Sequence, residues 1–549
     1  MSYTPDNNPY IPGDPYSYDL KWIVAQIKRL QNAITGIDDE TLDYTAPEVF
    51  GAVGDGIHDD TAAIQEALDS GKSCVVLTGS YLVNNNKNAT NVTDGTDSSR
   101  TALIIDHPVK IIGRPGSKII GSNDNNPSLD IKYVFAVNAE GVEFDGLTID
   151  NQWPTFNRHY GIQANSSYLT IKNCKFYNHG SSALVINGTY GLPLHDIRVD
   201  DITCENMGNT IFAAWADDCT FNNFNFRNVS EGFDFDKRCR RIAISNGNID
   251  TKRGGGSGDA GIEFNGAEHC SVTNVNISNF IDGIMLNAKI TPLENVDTRC
   301  RYITISNVNM YNIDGYGVVC GNNIAGEPDI YDLTISNIVV DTSTLHSLHL
   351  RGSNVVVQGA VLKNSAYGAI LIDSAGSTEN VTLANIQSYA NAQGFIDCAI
   401  DVGLLNISNC VDDESANAST VNNLTGLTKL IISGLTVINA DSLASLSGRV
   451  YNIDAAEAYV SQLTVKNLAN AFIGFSDDTV RYISNSNYNI SAAQEWDAVN
   501  ILRVETNVPS TGRIYNTGDI IVCSNSDVYI CITGNVGGGT PVFKQFTIV

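Results

Sequence analysis

The 549-residue sequence predicts an all-β chain. Most of it is expected to form a parallel β-helix, a stack of about 12 coils with a period of about 27 residues. Three observations predict this fold: a short β-branched phrase recurs, Gly and Asn stand at the turns, and no helical periodicity lies between the copies. A short N-terminal helical arm and a small C-terminal antiparallel β module complete the prediction.

The recurring phrase is three alternating residues followed by Asn or Asp. Clear copies occupy residues 170–173, 198–201, 220–223, 243–246, 271–274, 304–307 and 334–337. Weaker copies end at Gly359, Asn385, Asn409, Gly434 and Asn467. Parallel strands stack about 4.8 Å apart, so each circuit can lie on the one before it. The Asn suits a left-handed turn and can hydrogen-bond the equivalent side chain one circuit away.

The composition excludes several classes of function. Sixty acidic against 33 basic residues give a net charge of −27, which disfavours binding to nucleic acid or anionic membranes. No signal peptide and no membrane-spanning run is apparent, so we expect a chain without membrane insertion. The 12 cysteines lack metal-site spacing, which predicts buried thiols in a reducing cytosol, no metal and no cofactor.

Residues 1–45 form the predicted arm. A helix from Ser17 to about Thr35 carries Ile23, Ile27 and Leu30 on one stripe. Fewer than two heptads are too short to be stable alone, so the helix needs copies of itself, another protein, or the body of the chain as a partner.

Residues 46–493 form the predicted β-helix, and residues 47–61 are suited to close its first end. Asp59 or Asp60 is the expected N-cap of a short helix. The apolar face of that helix is Ala63, Ile64, Ala67 and Leu68, and Gly71 ends it. Covering this end matters because an open stack would pair with other chains.

Residues 47–83 closely resemble the N-terminal signature of the pectate-lyase superfamily, whose members are right-handed single-stranded parallel β-helices. Within that superfamily the architecture resembles a bacteriophage tailspike, and residues 8–19 are similar to phage tail-protein starts. The resemblance implies a homotrimer in the virion tail, assembled in the host cytoplasm and attached to tail or baseplate proteins through its arm. It further implies binding, and often cleavage, of a bacterial surface polysaccharide.

Residues 494–549 form the predicted C-terminal module. Alternating stretches at 517–522, 528–533 and 542–544 predict three or four antiparallel strands. This module is similar to the short C-terminal β modules of tailspikes.

Candidate catalytic residues should lie on the outer face of the coil, because the inner face is packed core. Alternation after Gly232 points Asp234 and Asp236 outward, and alternation after Gly261 does the same for Glu263 and Asn265. Stacking on the glycines makes Asp234 and Glu263 vertical neighbours about 5 Å apart. Two carboxylates this close do not both ionise easily, which suits a pair for glycoside cleavage with retention. The longer diagonal from Asp236 to Glu263 would suit inversion.

The predicted surroundings of this pair suit a sugar. Phe212 and Trp215 could stack on sugar rings. Seven basic residues could bind an acidic sugar: Arg227, Lys237, Arg238, Arg240, Arg241, Lys252 and Arg253. We therefore expect Phe212, Trp215, Lys252, Arg253 and Asn265 to bind substrate, with the loop 252–259 as the rim of a cleft.

Purely structural roles are the alternative interpretation of these residues. Outward acids on a β-helix are often only solvated, and the bases can simply neutralise them. Asp217 and Asp218 are interpreted as a turn, and His58 and His179 as structural. Glu231, Asp259 and Asp282 are weaker catalytic candidates, because they stand at the starts of strands.

The leading functional hypothesis is an endo-acting glycoside hydrolase. A non-catalytic receptor-binding or structural tail protein is the alternative from another class. A polysaccharide lyase, with Arg253 as the base, is a third. The sequence has no GxSxG, HExxH or Walker motif that would point to other chemistry.

Overall fold

The structure is a computed structural model. It describes residues 43–547 with these gaps: 85–87, 94–97, 123–131, 153–158, 252–259, 288–298, 322–329, 374–377, 393, 399–401, 414–421, 439–450, 463, 467–472, 476–479, 485–486, 489–501, 506–519, 524–526 and 534–541. The predicted N-terminal helix, Lys252 and Arg253 therefore lie outside the described residues.

The described residues are almost entirely β-strand. The strands up to residue 195 are β1 (Tyr44–Thr45), β2 (Asp55–Asp59), β3 (Cys74–Leu77), β4 (Ser80–Asn84), β5 (Asn88–Thr93), β6 (Ser98–Ile105), β7 (Lys110–Gly113), β8 (Lys118–Ser122), β9 (Lys132–Val137), β10 (Glu143–Asp145), β11 (Thr148–Asp150), β12 (His159–Ala164), β13 (Thr170–Lys172), β14 (Lys175–His179), β15 (Leu184–Asn187) and β16 (Leu194–His195). The next are β17 (Arg198–Ala214), β18 (Ala216–Asp217), β19 (Thr220–Asp236), β20 (Ala243–Asp250), β21 (Ala260–Asn265), β22 (Ser271–Ser278), β23 (Asp282–Asn287), β24 (Cys300–Ile313), β25 (Val318–Gly321), β26 (Ile330–Ser336), β27 (Val339–Ser343), β28 (Leu348–Leu350), β29 (Ser353–Gln358) and β30 (Val361–Lys363). The last are β31 (Ile370–Ile372), β32 (Thr378–Ala384), β33 (Gln387–Tyr389), β34 (Ile396–Cys398), β35 (Val402–Ser408), β36 (Val411–Asp413), β37 (Asn422–Ser433), β38 (Thr436–Ile438), β39 (Tyr451–Ser461), β40 (Thr464–Lys466), β41 (Ile473–Phe475), β42 (Val480–Ser484), β43 (Asn487–Tyr488), β44 (Leu502–Glu505), β45 (Ile520–Cys523), β46 (Asp527–Thr533) and β47 (Val542–Thr547).

These strands build three parallel sheets around one core, because the chain visits the sheets in turn and then repeats. One circuit shows how: β22 contributes to sheet 1 and, past Asn274, to sheet 2, while β23 after Asn279 contributes to sheet 3. Both Asn residues have left-handed backbone, with φ 57° and 65°. The next circuit returns at Thr304, which pairs with Ser271. The predicted parallel β-helix is confirmed.

Sheet 1 has more coils than the predicted 12. It contains seventeen described strands: β1, β3, β7, β10, β13, β17, β19, β20, β22, β24, β26, β29, β32, β35, β37, β39 and β42. Four of the five additional strands precede residue 170, where the phrase lacks its Asn, and the stack is about 75 Å long. The last predicted phrase end, Asn467, is wrong: Ser433 pairs with Ser461, which puts the turn at Gln462 (φ 53°).

The predicted ladder, in which equivalent Asn side chains of successive coils bond to each other, is confirmed for Asn274 and Asn246, at the corner between sheets 1 and 2, whereas Asn246 and Asn173 donate to the residue before the equivalent position. Asn246 donates from Nδ2 to Asn222 Oδ1 at 2.8 Å, and Asn274 donates to Asn246 Oδ1 at 3.0 Å. Asn173 donates to Asp145 Oδ1 at 2.9 Å in the same way. An amide satisfies both the left-handed turn and its neighbour one coil away, so one residue type recurs.

The helix α1 (Thr61–Asp69) covers the first coil, as predicted, with Ala63, Ile64, Ala67 and Leu68 buried. Two aspartates accept hydrogen bonds at the N-terminus of this helix. Asp59 Oδ1 accepts hydrogen bonds from the backbone N–H and hydroxyl of Thr61. Asp60 instead accepts from the N–H groups of Val53 and Gly54, which ties the preceding loop to the helix. A 3₁₀ turn, Pro47–Phe50, completes the cap.

Ten cysteines have described side chains, and none of them forms a disulfide. Nine are buried, as the prediction of buried thiols requires. Burial raises the pKa of the Cys174, Cys219 and Cys270 thiols to about 12.

The C-terminal module is a four-stranded sheet in the order β44-β45-β46-β47. The pairs β45–β46 and β46–β47 are antiparallel, as predicted. The pair β44–β45 is parallel, which corrects the prediction of a wholly antiparallel unit. No helix in the described part of the chain has the length and apolarity that crossing a bilayer requires.

Candidate active site on sheet 3

The predicted register of the candidate site is confirmed. In sheet 3, Phe212 pairs with Asp234, Asp234 with Glu263, and Glu263 with Met285. These side chains are partly exposed, whereas their strand neighbours Phe233, Phe235, Ile262 and Phe264 are fully buried. The inward rings stack, with 5.2 Å between the centroids of Phe235 and Phe264. This aromatic core makes the outward direction of Asp234 and Glu263 unambiguous, because slipping by one residue would bury both acids.

The two acids lie in a cluster of three carboxylates. One oxygen each of Glu231, Asp234 and Glu263 lies within 4.8 Å of the other two. Glu231 is 7% exposed, and Oδ1 of Asp234 is fully buried. Three acids this close repel one another as anions, so the cluster favours a shared proton or a bound cation. Asp236, two positions along the strand, is partly exposed and is not a member of the cluster.

Glu231 is the residue that sequence reasoning ranked too low. Simple alternation separates it from Asp234, because residues three apart in a straight strand point to opposite faces. The structure nevertheless brings an oxygen of Glu231 within 4.8 Å of an oxygen of Asp234. A Cβ on Gly232 would lie 2.3 Å from the Gly261 carbonyl oxygen, so successive glycines let adjacent coils pack closely there. The sequence signal that could have identified Glu231 is an acidic residue directly before a glycine that stacks on the glycine of the next coil.

Glu263 is held in place by two amides. Asn265 donates from Nδ2 to Glu263 Oε1 at 2.7 Å, and Asn287 donates to the same oxygen at 3.2 Å. Asn287 also donates to Asn265 Oδ1 at 3.2 Å. Asn265 is only 5% exposed and its amide orients Glu263, so direct binding of substrate by Asn265 stays a prediction.

Of the two predicted aromatic platforms, Phe212 is partly exposed and Trp215 is buried, and sugar binding by either stays a prediction. Phe212 is partly exposed in the coil next to Asp234. Trp215 is 7% exposed and packs beneath the surface with Ala214 and Phe212. The exposed ring is Tyr190, 61% exposed and edge-on to Trp215 at 5.3 Å. Trp215 therefore supports the ring that faces solvent.

Two residues of the basic cluster form ion pairs with neighbouring acidic residues. Arg240 forms an ion pair with buried Asp217, and Arg241 donates to Asp218 Oδ1 and Oδ2 at 2.5 and 2.7 Å. The Arg241 guanidinium lowers the pKa of Asp218. Asp218 has left-handed backbone (φ 53°), which confirms the interpretation of these two acids as a turn. These two arginines neutralise acids in the next coil, so the hypothesis that they bind an acidic sugar loses support.

The two histidines expected to be structural have protein partners. His179 is fully buried, with Nδ1 3.0 Å from the Asn151 amide. His58 is exposed and contacts the carboxylate of Asp55 at 2.7 Å.

No protein-family model matches the chain. A stretch of 169 residues is 28% identical to a capsule K30/K69-specific depolymerase of Klebsiella phage K64-1. This match covers 28% of the chain and 20% of that protein, so it spans about a fifth of the relative's length.

Two solved structures are similar to the chain. The tailspike of Escherichia coli bacteriophage HK620 in complex with a hexasaccharide is 11% identical, with a TM-score of 0.45 over 78% of this chain and 80% of that one. The A-module of a mannuronan C-5 epimerase from Azotobacter vinelandii is 13% identical, with a TM-score of 0.34 over 80% and 99%. The β-helix fold itself rests on the strand pairing described above, and the sequence similarity is to a phage depolymerase.

Proposed function

We propose that this chain is the body of a phage tailspike that binds a bacterial surface polysaccharide and cleaves it as an endo-acting glycoside hydrolase. The observation that carries this proposal is the direct pairing of Asp234 with Glu263 on a solvent-facing wall. Sequence similarity to a phage capsule depolymerase supports it over part of the chain. A stiff rod with a row of outward polar residues suits an extended glycan.

The proposed mechanism is retention of configuration. Carboxyl groups of retaining glycosidases lie about 5 Å apart, and oxygens of Asp234 and Glu263 lie within 4.8 Å of each other. Glu263, oriented by Asn265 and Asn287, is suited to be the nucleophile. Asp234, which has an oxygen within 4.8 Å of oxygens of Glu231 and Glu263, is then the acid that protonates the leaving oxygen. Inversion through Asp236 would give the opposite product anomer.

Binding is assigned to the aromatic edge beside the acids. Phe212 and Tyr190 present the exposed rings, which suits stacking on sugars at little entropic cost. We further propose a homotrimer attached to tail or baseplate proteins through residues 1–45, as a component of the virion. Three equivalent sites on one particle would raise the avidity of individually weak sugar binding.

The test is reducing-end release from purified capsular polysaccharides, Klebsiella K30 and K69 capsule among them. Asp234→Asn and Glu263→Gln should each lower the rate by about 10²–10⁴ while polysaccharide binding and oligomeric state are unchanged. Asp413→Asn, a partly exposed acid on sheet 2, is the matched control and should keep the wild-type rate.

The other outcomes discriminate the alternatives. Binding without any release of reducing ends identifies a non-catalytic receptor-binding protein. Ultraviolet absorbance from unsaturated uronate identifies a lyase. Full activity in both acid variants removes the site assignment, whatever the reaction.

A further inference from the structure

A second polar cluster lies on sheet 3, in the same outward row as the acids. The row continues from Glu263 through Met285 and Val319 to His349. Three coils separate His349 from Glu263, about 14 Å along the helix. Met285 is partly exposed and Val319 is 8% exposed, so an apolar strip joins the two clusters.

The floor of this cluster consists of two buried imidazoles. His346 is 8% exposed and His349 is 7% exposed. Nδ1 of each ring is buried and has no hydrogen-bond partner among the described residues. A buried polar nitrogen without a partner costs about 1–3 kcal/mol, so two of them in one coil mark a place where the chain itself leaves polar groups unsatisfied.

The rim carries rings and one ion pair. The rings of Tyr316, His346 and Tyr367 follow one another along the helix, with centroids 6.4 and 5.7 Å apart. Tyr367 is 41% exposed. Beside them, Arg351 donates to both oxygens of Asp373, and His349 Nε2 lies 3.1 Å from Asp373 Oδ2.

The charges of the cluster indicate which ligand it suits. Burial and neighbouring His349 lower the pKa of His346 to about 4, so that ring is neutral near pH 7. Burial opposes ionisation of Asp373, but Arg351 and His349 lower its pKa well below the usual range, so it balances the guanidinium. Because Asp373 balances Arg351 and the His346 ring is neutral near pH 7, the cluster fits hydroxyl groups, which both donate and accept, better than a carboxylate or phosphate.

We propose that Tyr316, His346, His349, Arg351 and Tyr367 form a binding subsite for a neutral sugar residue of the same polysaccharide that the acids cleave. The proposal rests on the proposed function and extends it: a glycan lying along the helix axis would occupy the acidic cluster and this subsite together. The tyrosine rings stack on the sugar, and its hydroxyls bond to the partly exposed side chains of Arg351 and Asp373.

The test measures binding in the absence of cleavage. In the Glu263→Gln protein, Tyr367→Ala should raise the dissociation constant for the bound capsular polysaccharide at least tenfold. Tyr311→Ala is the matched control, since Tyr311 is 40% exposed but lies on sheet 2, and it should stay within twofold. His349→Gln should weaken binding in the same direction as Tyr367→Ala.

Several outcomes would overturn the subsite. One is equal binding by the Tyr367→Ala and Tyr311→Ala proteins. Another is binding that is confined to uronate-containing polysaccharides and lost at 1 M salt, which would mean recognition of charge instead. If the parent protein binds no polysaccharide, subsite and proposed function fail together; if it binds but never cleaves, only the hydrolase fails.

Discussion

Asn246 offers a quantitative test of how the coils are held in register. Its amide donates to Asn222 at 2.8 Å and accepts from Asn274 at 3.0 Å, and its backbone is left-handed with φ 58°. Asn246→Ala removes both bonds and places in that conformation a residue that tolerates it less well than Asn. Asn246→Gly removes the same bonds but accepts the conformation readily.

The two contributions can be estimated separately. Two solvent-exposed hydrogen bonds contribute about 0.5–1 kcal/mol each, the lower part of the usual range. Left-handed backbone costs Ala about 1–2 kcal/mol, of which its lower entropy in the unfolded chain offsets about 0.4–1 kcal/mol. Asn246→Ala should therefore lower the free energy of unfolding by about 2–3 kcal/mol, and Asn246→Gly by about 1 kcal/mol less.

Urea unfolding at fixed protein concentration measures these differences, provided the slope is unchanged. Asn307 is the matched control: it has the same turn conformation (φ 53°), and its side chain makes no hydrogen bond among the described residues. Asn307→Ala should cost only the backbone part, about 1 kcal/mol. Equal losses for Asn246→Ala and Asn307→Ala would refute a stabilising role for the ladder. A larger loss for Gly than for Ala would refute the conformational argument.

Two further predictions follow from the buried groups. With pKa values of about 12, the thiols of Cys174, Cys219 and Cys270 should resist a thiol reagent at pH 8 in the native protein and react after denaturation. Mass spectrometry of the labelled protein measures this. Fast labelling of Cys270 in the native protein would contradict its burial. Because the folded pKa of His346 is about 4, below the ordinary 6.5, its stabilising effect is complete above pH 6.5 and is lost as pH falls towards 4. His346→Gln should flatten the fall in unfolding free energy across that window, and an unchanged slope would contradict the argument.

The parts of the site that alternation governs were predictable. In residues 232–236, large rings alternate with acids, and only one face of that strand can be buried. Stacked glycines then bring Asp234 opposite Glu263, as pairing in the structure confirms. Asn at the phrase ends likewise predicted the turns and the ladder, since few residues tolerate left-handed backbone.

Other parts of the site escaped prediction for physical reasons. Trp215 lies in a left-handed turn that folds its ring under the surface, and Asn265 uses its amide on Glu263. Glu231 joins the acids although alternation along the strand separates it from Asp234. Contacts of this kind depend on how the coil closes in three dimensions, which a period of two does not encode.

The sequence by itself determined the class of fold and which residues of each strand face outward, because burial selects one face of every strand. Only the tertiary structure decided which outward residues meet. Circuits of unequal length in sheet 1, from 22 residues between Asp201 and Asn223 to 36 between Cys74 and Lys110, change the offset of each coil. Glu263 and His349 are 86 positions apart in the sequence but lie in one row of sheet 3. The register between stacked coils decides which residues are neighbours, and the local sequence does not specify that register.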